Sequence, residues 1–382
     1  MADPRFAIVV TTIGTGEFLD TYAAKLGEEG QLDRATMIVI IDRKTPAAIH
    51  DAIARARAAG LDIRCPDLAE QDAWLARLGA IHGFIPWNSD ARRNIGYLMA
   101  YESGADVIVG IDDDNLCELP GPWLGDHAVV AAPAAEHRVT RSASGWYNPC
   151  ALLETDPAIV HPRGYPYARR NEQPALVEQA LHGRIDVNAG LWLGAPDIDA
   201  FSHLAAPVEA RSLRGGSVIL DPGSWAPVNT QNTAIRREAM GAWWFARMGV
   251  SINGLRIERF GDIWSGYFLI ACARHLGGLV RFGTPLVMHR RNSHDIGRDA
   301  LHELPGIWLT EDIVAWLHEH KLSGSDYVET YRALADGLDA FAGARPGPFW
   351  TASALDFIGS TTGGMRAWAD AIRTIDGRPA GS

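Results

Sequence analysis

Along its first third the chain alternates short apolar runs with stretches of helical periodicity. Residues 6–10 are apolar and lead through Thr11 and Thr12 into a loop with Gly14 and Gly16, the pattern of a first strand. Apolar positions then recur at helical spacing over about 17–26. A second apolar run, 37–41, ends in Asp42, an alanine-rich helix follows over 47–59, and 61–65 suggests a short third strand. Ser89 or Asp90 is placed to cap a helix that reaches about Glu102. Residues 107–111 are Val and Ile around one Gly, bounded by Gly104 and a Leu-Pro-Gly-Pro turn, and read as a buried parallel strand.

The rest is less regular. Residues 146–170 are rich in Pro, Gly, Tyr and Arg without periodicity, as in an ordered functional loop. A strand or bend is expected over 188–194, a strand-to-helix transition over 230–240, and a helix from 260–267 towards His275. Two short apolar segments, 279–282 and 285–288, precede an amphipathic helical pattern over 304–341. The expected architecture is α/β: a mixed, mainly parallel sheet flanked by helices over 1–303, with a helical extension over 304–382 packed on it. The last six residues, Gly-Arg-Pro-Ala-Gly-Ser, read as a frayed end.

Composition narrows the class. The 382 residues are 47% hydrophobic and 21% charged, as in a soluble globular protein. A net charge of −11 argues against nucleic acid as a partner, although local arginines and a metal can still draw an anionic nucleotide into one cleft. No membrane span and no signal-peptide pattern is seen, and four cysteines lack Cys-x-x-Cys spacing. The expected setting is cytoplasmic, with reduced thiols. Of the thirteen tryptophans, most are assigned to core packing.

The candidate chemistry starts where the run 107–111 meets Asp112, Asp113 and Asp114. Three carboxylates at a strand end repel one another unless a cation or hydrogen bonds compensate. Ligands of open α/β sheets sit beyond the carboxyl ends of the strands, and Asp side chains there suit Mg²⁺ or Mn²⁺ shared with phosphate oxygens. An acidic turn capping the next element is the alternative. Asp42 could meet a ribose or base, or cap a turn. Arg92 and Arg93 fall in a first helical turn, where the dipole disfavours cations, so one of them could serve a diphosphate, or both could be solvated. His289, followed by Arg290 and Arg291, suits the metal or diphosphate end of a cleft, or a basic surface loop. Asp262 is placed as a helix cap or as a base towards an acceptor.

These features together resemble a nucleotide-sugar glycosyltransferase of the GT-A fold. Longer motifs sharpen the likeness: Arg163-Gly164-Tyr165-Pro166-Tyr167, the run 188–193 with Pro196-Asp197-Ile198-Asp199-Ala200, and Asp262-Ile263-Trp264-Ser265-Gly266. They are similar to the reversibly glycosylated polypeptides, the plant UDP-arabinopyranose mutases, over about residues 6–341. The resemblance implies a GT-A-like domain that binds a UDP-sugar through Mn²⁺ or Mg²⁺. It also implies interconversion of pyranose and furanose forms of UDP-arabinose, and self-glycosylation on an arginine. Under it Asp112 and Asp114 hold the ion, His289 completes its shell, and Asp113 contacts ribose or sugar hydroxyls. Thr11, Asp42, Asp90, Arg93, Asn188 and Trp192 are further candidates for nucleotide-sugar contacts. Arg163 matches the family arginine associated with reversible glycosylation and Arg170 a second one seven residues on; with Asp262 they are the catalytic candidates. A protonated guanidinium is a poor nucleophile, so Arg163 could instead stabilise a leaving diphosphate or a carboxylate.

The chain departs from the family pattern at Gly261-Asp262, where two consecutive acids are usual, and at Asn171-Glu172-Gln173. Three functions stay open: a mutase, a transferase to an external acceptor, and a non-catalytic partner subunit. The family also admits homo- or hetero-oligomers.

Overall fold

The computed structural model describes residues 3–292, 295–345 and 347–377. Of the frayed end expected over 377–382, all but Gly377 lies outside them. Strands β1 (Phe6–Thr12), β2 (Ala35–Ile41), β3 (Asp62–Arg64) and β4 (Val107–Ile111) lie in the order β3-β2-β1-β4, all parallel. Parallel pairing needs crossovers, supplied by helices α1 (Phe18–Glu28), α2 (Ile49–Ala58), α3 (Leu68–Ala76) and α4 (Arg93–Glu102). Every residue of β4 is buried, which is why its sequence shows no polar alternation. Helix α4 lies directly on the sheet: a Cβ on Gly96 would come within 2.5 Å of Val9 Cγ1.

Beyond β4 the sheet becomes mixed. It takes in β5 (Asn115–Leu116), β6 (Ala135–Ser142), β7 (Leu153–Asp156), β8 (Leu176–Gly194), β9 (Glu209–Leu213), β10 (Ser217–Leu220) and β11 (Asn232–Arg236). Helix α5 (Leu124–His127) follows β5 and α6 (Ala200–Ala205) follows β8, while β12 (Ser251–Ile252) and β13 (Leu255–Arg256) form a separate ribbon. Strand β11 is antiparallel to both β4 and β8. Helix α7 (Gly261–His275) leads into β14 (Gly278–His289), which runs parallel to β8. The last residues of β14 pair with β5, Met288 opposite Leu116 and His289 opposite Asn115. Because β5 begins immediately after Asp114, this pairing sets His289 beside the acidic turn.

Several elements differ from the sequence reading. Strand β8 extends far upstream of 188, and that half is mostly exposed, so its side chains carry no burial pattern to read. The segments 279–282 and 285–288 form one strand, with a register shift that accommodates Pro285. Helix α8 (Ile296–Glu319) starts at an Asp295 cap, whose Oδ1 accepts from Arg298 N at 3.0 Å, and runs through Pro305. The boundary expected at 303/304 therefore falls inside a continuous helix. Helices α9 (Tyr327–Ala344) and α10 (Ala352–Ile375) pack on one another, and Trp368 of α10 donates to the Met240 carbonyl at 2.8 Å. Trp123, Trp225, Trp243, Trp244, Trp264 and Trp368 are all under 2% exposed and belong to the core. Among the described residues, no helix is long and apolar enough to cross a membrane.

Candidate active site

A cleft of about 360 Å³ opens at the carboxyl ends of β1, β2 and β4. The three consecutive acids after β4 are held in three different ways. Asp112 Oδ1 accepts from Arg93 Nη2 at 2.7 Å, and Asp113 Oδ2 accepts from Thr12 Oγ1 at 2.5 Å. Asp114 Oδ2 lies 3.4 Å from His289 Nε2 and also meets the backbone and side-chain nitrogens of Asn292 at 3.4 and 3.3 Å. Burial pushes the Asp113 carboxyl up to about 6 and raises Asp112 as well. Burial would also raise Asp114, but the hydrogen bond and charge of His289 hold it below its ordinary value.

His289 Nδ1 lies 2.5 Å from the Ala195 carbonyl, a donor's place, so Nε2 is the nitrogen turned to Asp114. Burial would lower the imidazole pKa, yet Asp114 raises it. Once Nε2 gives up its proton, an imidazole beside carboxylate oxygens, its ring oriented by a backbone carbonyl, is a donor set that fits Mn²⁺ or Mg²⁺. Among the described residues no group of three or more His, Cys, Asp or Glu side chains is placed to hold a metal ion. Ions that share phosphate oxygens and keep waters need only one or two protein carboxylates.

Arg93 explains its own awkward place in a first helical turn. Its guanidinium reaches Asp112 on one side and Thr230 Oγ1 on the other, and the field of Asp112 raises its pKa against burial. Its neighbour Arg92 is structural, stacked 3.5 Å from the Trp87 ring centroid and bonded to Gln71. Asp42 lines the cleft while accepting from the Arg43 and Ser89 backbones at 2.7 and 3.3 Å, so it caps a turn there as well. Thr11 also lines the cleft, with its hydroxyl given to the Ile40 carbonyl, and Asp90 is exposed at the rim.

Opposite the acidic turn sits Arg163, 5% exposed, between Asp197 and Asp262. All five of its N–H donors have protein acceptors. Nε and Nη2 reach Asp197 at 2.9 Å each, Nη1 and Nη2 reach Asp262 at 2.9 and 2.8 Å, and Nη1 also meets the Arg259 carbonyl. Against burial, Arg163 holds Asp197 down to about 2, while the two carboxylates keep the guanidinium firmly protonated. The departure at Gly261 is now intelligible: a Cβ there would lie 2.5 Å from the Ala246 carbonyl oxygen. The second acid beside Asp262 comes from Asp197, in the loop after β8, rather than from the preceding residue.

The structure does not bring the remaining candidates into the cleft. Arg170 bonds Asp199 at 2.6 Å and stacks 3.6 Å from the Tyr167 ring centroid, outside the cleft lining. Asn188 is fully buried, joined to His127 at 3.1 Å and Arg281 at 2.9 Å, and Trp192 is 3% exposed. Residues 188 and 192 lie four apart on one strand and so share a face of β8. Sequence reasoning missed Thr12, Asp197, Thr230 and Arg259, all of which line the cleft. Only Asp197, inside the Pro-Asp-Ile-Asp motif, carried a local signal.

A mixed α/β sheet with an acidic strand end facing an arginine–carboxylate clamp defines the architecture of this protein and its cleft. The comparisons agree on its family. The model of the reversibly glycosylated polypeptide family matches residues 75–336, and the chain belongs to that family. It is 32% identical over 251 residues to "Probable UDP-arabinopyranose mutase 1" of Pisum sativum, covering 64% of this chain and 63% of that protein. It is 34% identical over 239 residues to "UDP-arabinopyranose mutase 3" of Arabidopsis thaliana, covering 62% and 60%. The matched part thus spans less than two thirds of either relative. Glucosyl-3-phosphoglycerate synthase of Mycobacterium tuberculosis, crystallised with Mn²⁺ and UDP-glucose, is 13% identical at a TM-score of 0.37, covering 81% of this chain and 79% of that one. That likeness is too loose to carry an argument.

Proposed function

We propose that the cleft binds a UDP-sugar and that the protein breaks and re-forms its anomeric C–O bond, exchanging pyranose and furanose forms as a UDP-arabinopyranose mutase. Besides family membership, one observation carries the mutase form of this reading. Both oxygens of Asp262 are engaged by Arg163, so Asp262 is not free to deprotonate an external acceptor. A reaction that only exchanges hydroxyls within one sugar needs no base aimed at a second molecule.

The chain's own groups divide the work. Thr11, Asp42 and Asp90 line the end of the cleft suited to the nucleoside, and Asp113, fixed by Thr12, takes a ribose or sugar hydroxyl. Asp114 and His289, with Asp112 beside them, would hold Mn²⁺ or Mg²⁺ together with phosphate oxygens. When bound, the ion supplies positive charge to the departing diphosphate. Arg163 between two carboxylates leaves a net negative charge of one, suited to positive charge developing at the anomeric carbon. The bond to the β-phosphate oxygen breaks with its electron pair leaving on UDP. A second hydroxyl of the sugar then adds to the anomeric carbon, its proton passes to the ring oxygen as the old ring C–O bond breaks with its electron pair on that oxygen, and UDP rejoins the anomeric carbon of the new ring. Glycosylation of Arg163 itself would require an N–H to leave its acceptor and lose a proton against two carboxylates, so Arg163 serves to position rather than to attack. The four cysteines are free thiols, in keeping with a reducing compartment such as the cytoplasm.

The test is incubation with UDP-arabinopyranose and Mn²⁺ without acceptor, followed by chromatographic separation of the nucleotide sugars. Furanose product is expected from the wild type and not from an Asp112→Ala/Asp114→Ala variant. Unchanged sugar with UDP binding intact would sink the mutase reading and turn attention to an external acceptor.

A further inference from the structure

Resting on the nucleotide-sugar reading, we propose that Arg259 and Arg291 form the anion clamp that holds the diphosphate of the bound nucleotide. The sequence suggested Arg92 or Arg93, Arg163, or the basic group after His289 for such a role; Arg163 is saturated, and the end of the Arg93 guanidinium is held by Asp112 and Thr230. Arg163 has no N–H left over, as described above. Arg93 is tied to Asp112 and Thr230, and its Nε is buried without a partner among the described residues. Of the basic pair after His289, Arg290 turns to Glu118 with 64% of its side chain exposed. Arg291 instead lines the cleft.

Arg291 and Arg259 converge on one carboxylate of α8. Arg291 Nη2 lies 3.2 Å from Asp299 Oδ2, and Arg259 Nη1 lies 3.9 Å from the same oxygen. Arg259 Nε donates to Glu303 Oε1 at 2.7 Å; Glu303, fully buried, is itself anchored by the Ala200 backbone N–H at 2.7 Å. Among the described residues these contacts fix both forks while using few of the five donors that each guanidinium carries. The two side chains are 22% and 14% exposed, dry enough to strengthen a charge-assisted bond and open enough to meet a ligand.

The backbone of Arg259 adds an independent sign. Its φ of 65° is left-handed, a conformation that is costly for a side-chain-bearing residue and persists where surroundings over-determine it, often at functional sites. The same twist lets its carbonyl receive Arg163 while its guanidinium lines the cleft. Arg291 lines the same cleft as Asp112, Asp114 and His289, so an anion held by the pair would share that cleft with the proposed metal position.

The test compares UDP with uridine, each titrated at a fixed saturating Mn²⁺ concentration and followed by calorimetry. The readout is the preference for UDP over uridine, which general damage to the fold does not create. Arg291→Met and Arg259→Met are each expected to cut that preference about 10- to 100-fold by removing charge-assisted bonds. Arg291→Lys should restore part of it. An unchanged preference in both Met variants, or an equal loss of UDP and uridine affinity, overturns the clamp while the nucleotide reading stands. A wild type that binds neither ligand overturns the nucleotide reading itself.

Discussion

Arg163 and Asp262 meet in a two-point ion pair, Nη1 to Oδ1 at 2.9 Å and Nη2 to Oδ2 at 2.8 Å, across a sequence separation of 99 residues. Asp197 takes the opposite edge of the same guanidinium. Removing Arg163 would leave two buried carboxylates facing one another. Arg163→Met is therefore expected to destabilise the fold by about 3–5 kcal/mol, measurable by urea unfolding. Arg163→Lys keeps the charge but not the fork and should fall between it and the wild type. Equal stability of Arg163→Met and wild type would show that the clamp is not buried as described.

Asp113 predicts a pH dependence. Burial raises its pKa from an ordinary value near 3.8 to about 6 in the folded state. The folded protein therefore binds this proton more tightly than the unfolded chain. Its contribution favours folding below about pH 4, declines between there and pH 6, and is a constant cost above. In EDTA at pH 7, Asp113→Asn should raise stability by an amount on the order of 1 kcal/mol, and the gain should vanish below pH 4. A gain that persists at pH 3 would assign it to something other than ionisation.

Chelation offers a third check. EDTA is expected to abolish conversion of the nucleotide sugar, and Mn²⁺ to restore it. His289→Ala should raise the Mn²⁺ concentration needed by at least the roughly tenfold cost typical of losing a supporting group at a metal site. Full activity in EDTA would remove the ion from the reading.

Gly261 gives a test of packing. Adding a second acid by Gly261→Asp would place Cβ 2.5 Å from the Ala246 carbonyl oxygen and 2.7 Å from the Phe245 ring. A loss of about 1–3 kcal/mol in thermal or urea unfolding is expected, with no gain in activity. A stable Gly261→Asp protein would mean that the loop before α7 yields freely.

The sequence by itself determined the parallel strands and the acidic turn after β4, because their evidence is local. A run of Val and Ile ending in three carboxylates carries its burial and its charge conflict within a few residues. The family motifs likewise marked Arg163 and Asp262, and the end of an apolar run marked His289. Tertiary structure alone decided what those side chains meet. His289 reaches Asp114 only because β14 pairs with β5, and Arg163 is saturated only because a loop 34 residues away and a helix start 99 residues away converge on it. Sequence could not assign Asn188 and Trp192 to a face of β8, nor separate Arg290 from Arg291. Strand register and long-range pairing set those directions, and neither is a property of nearest neighbours along the chain.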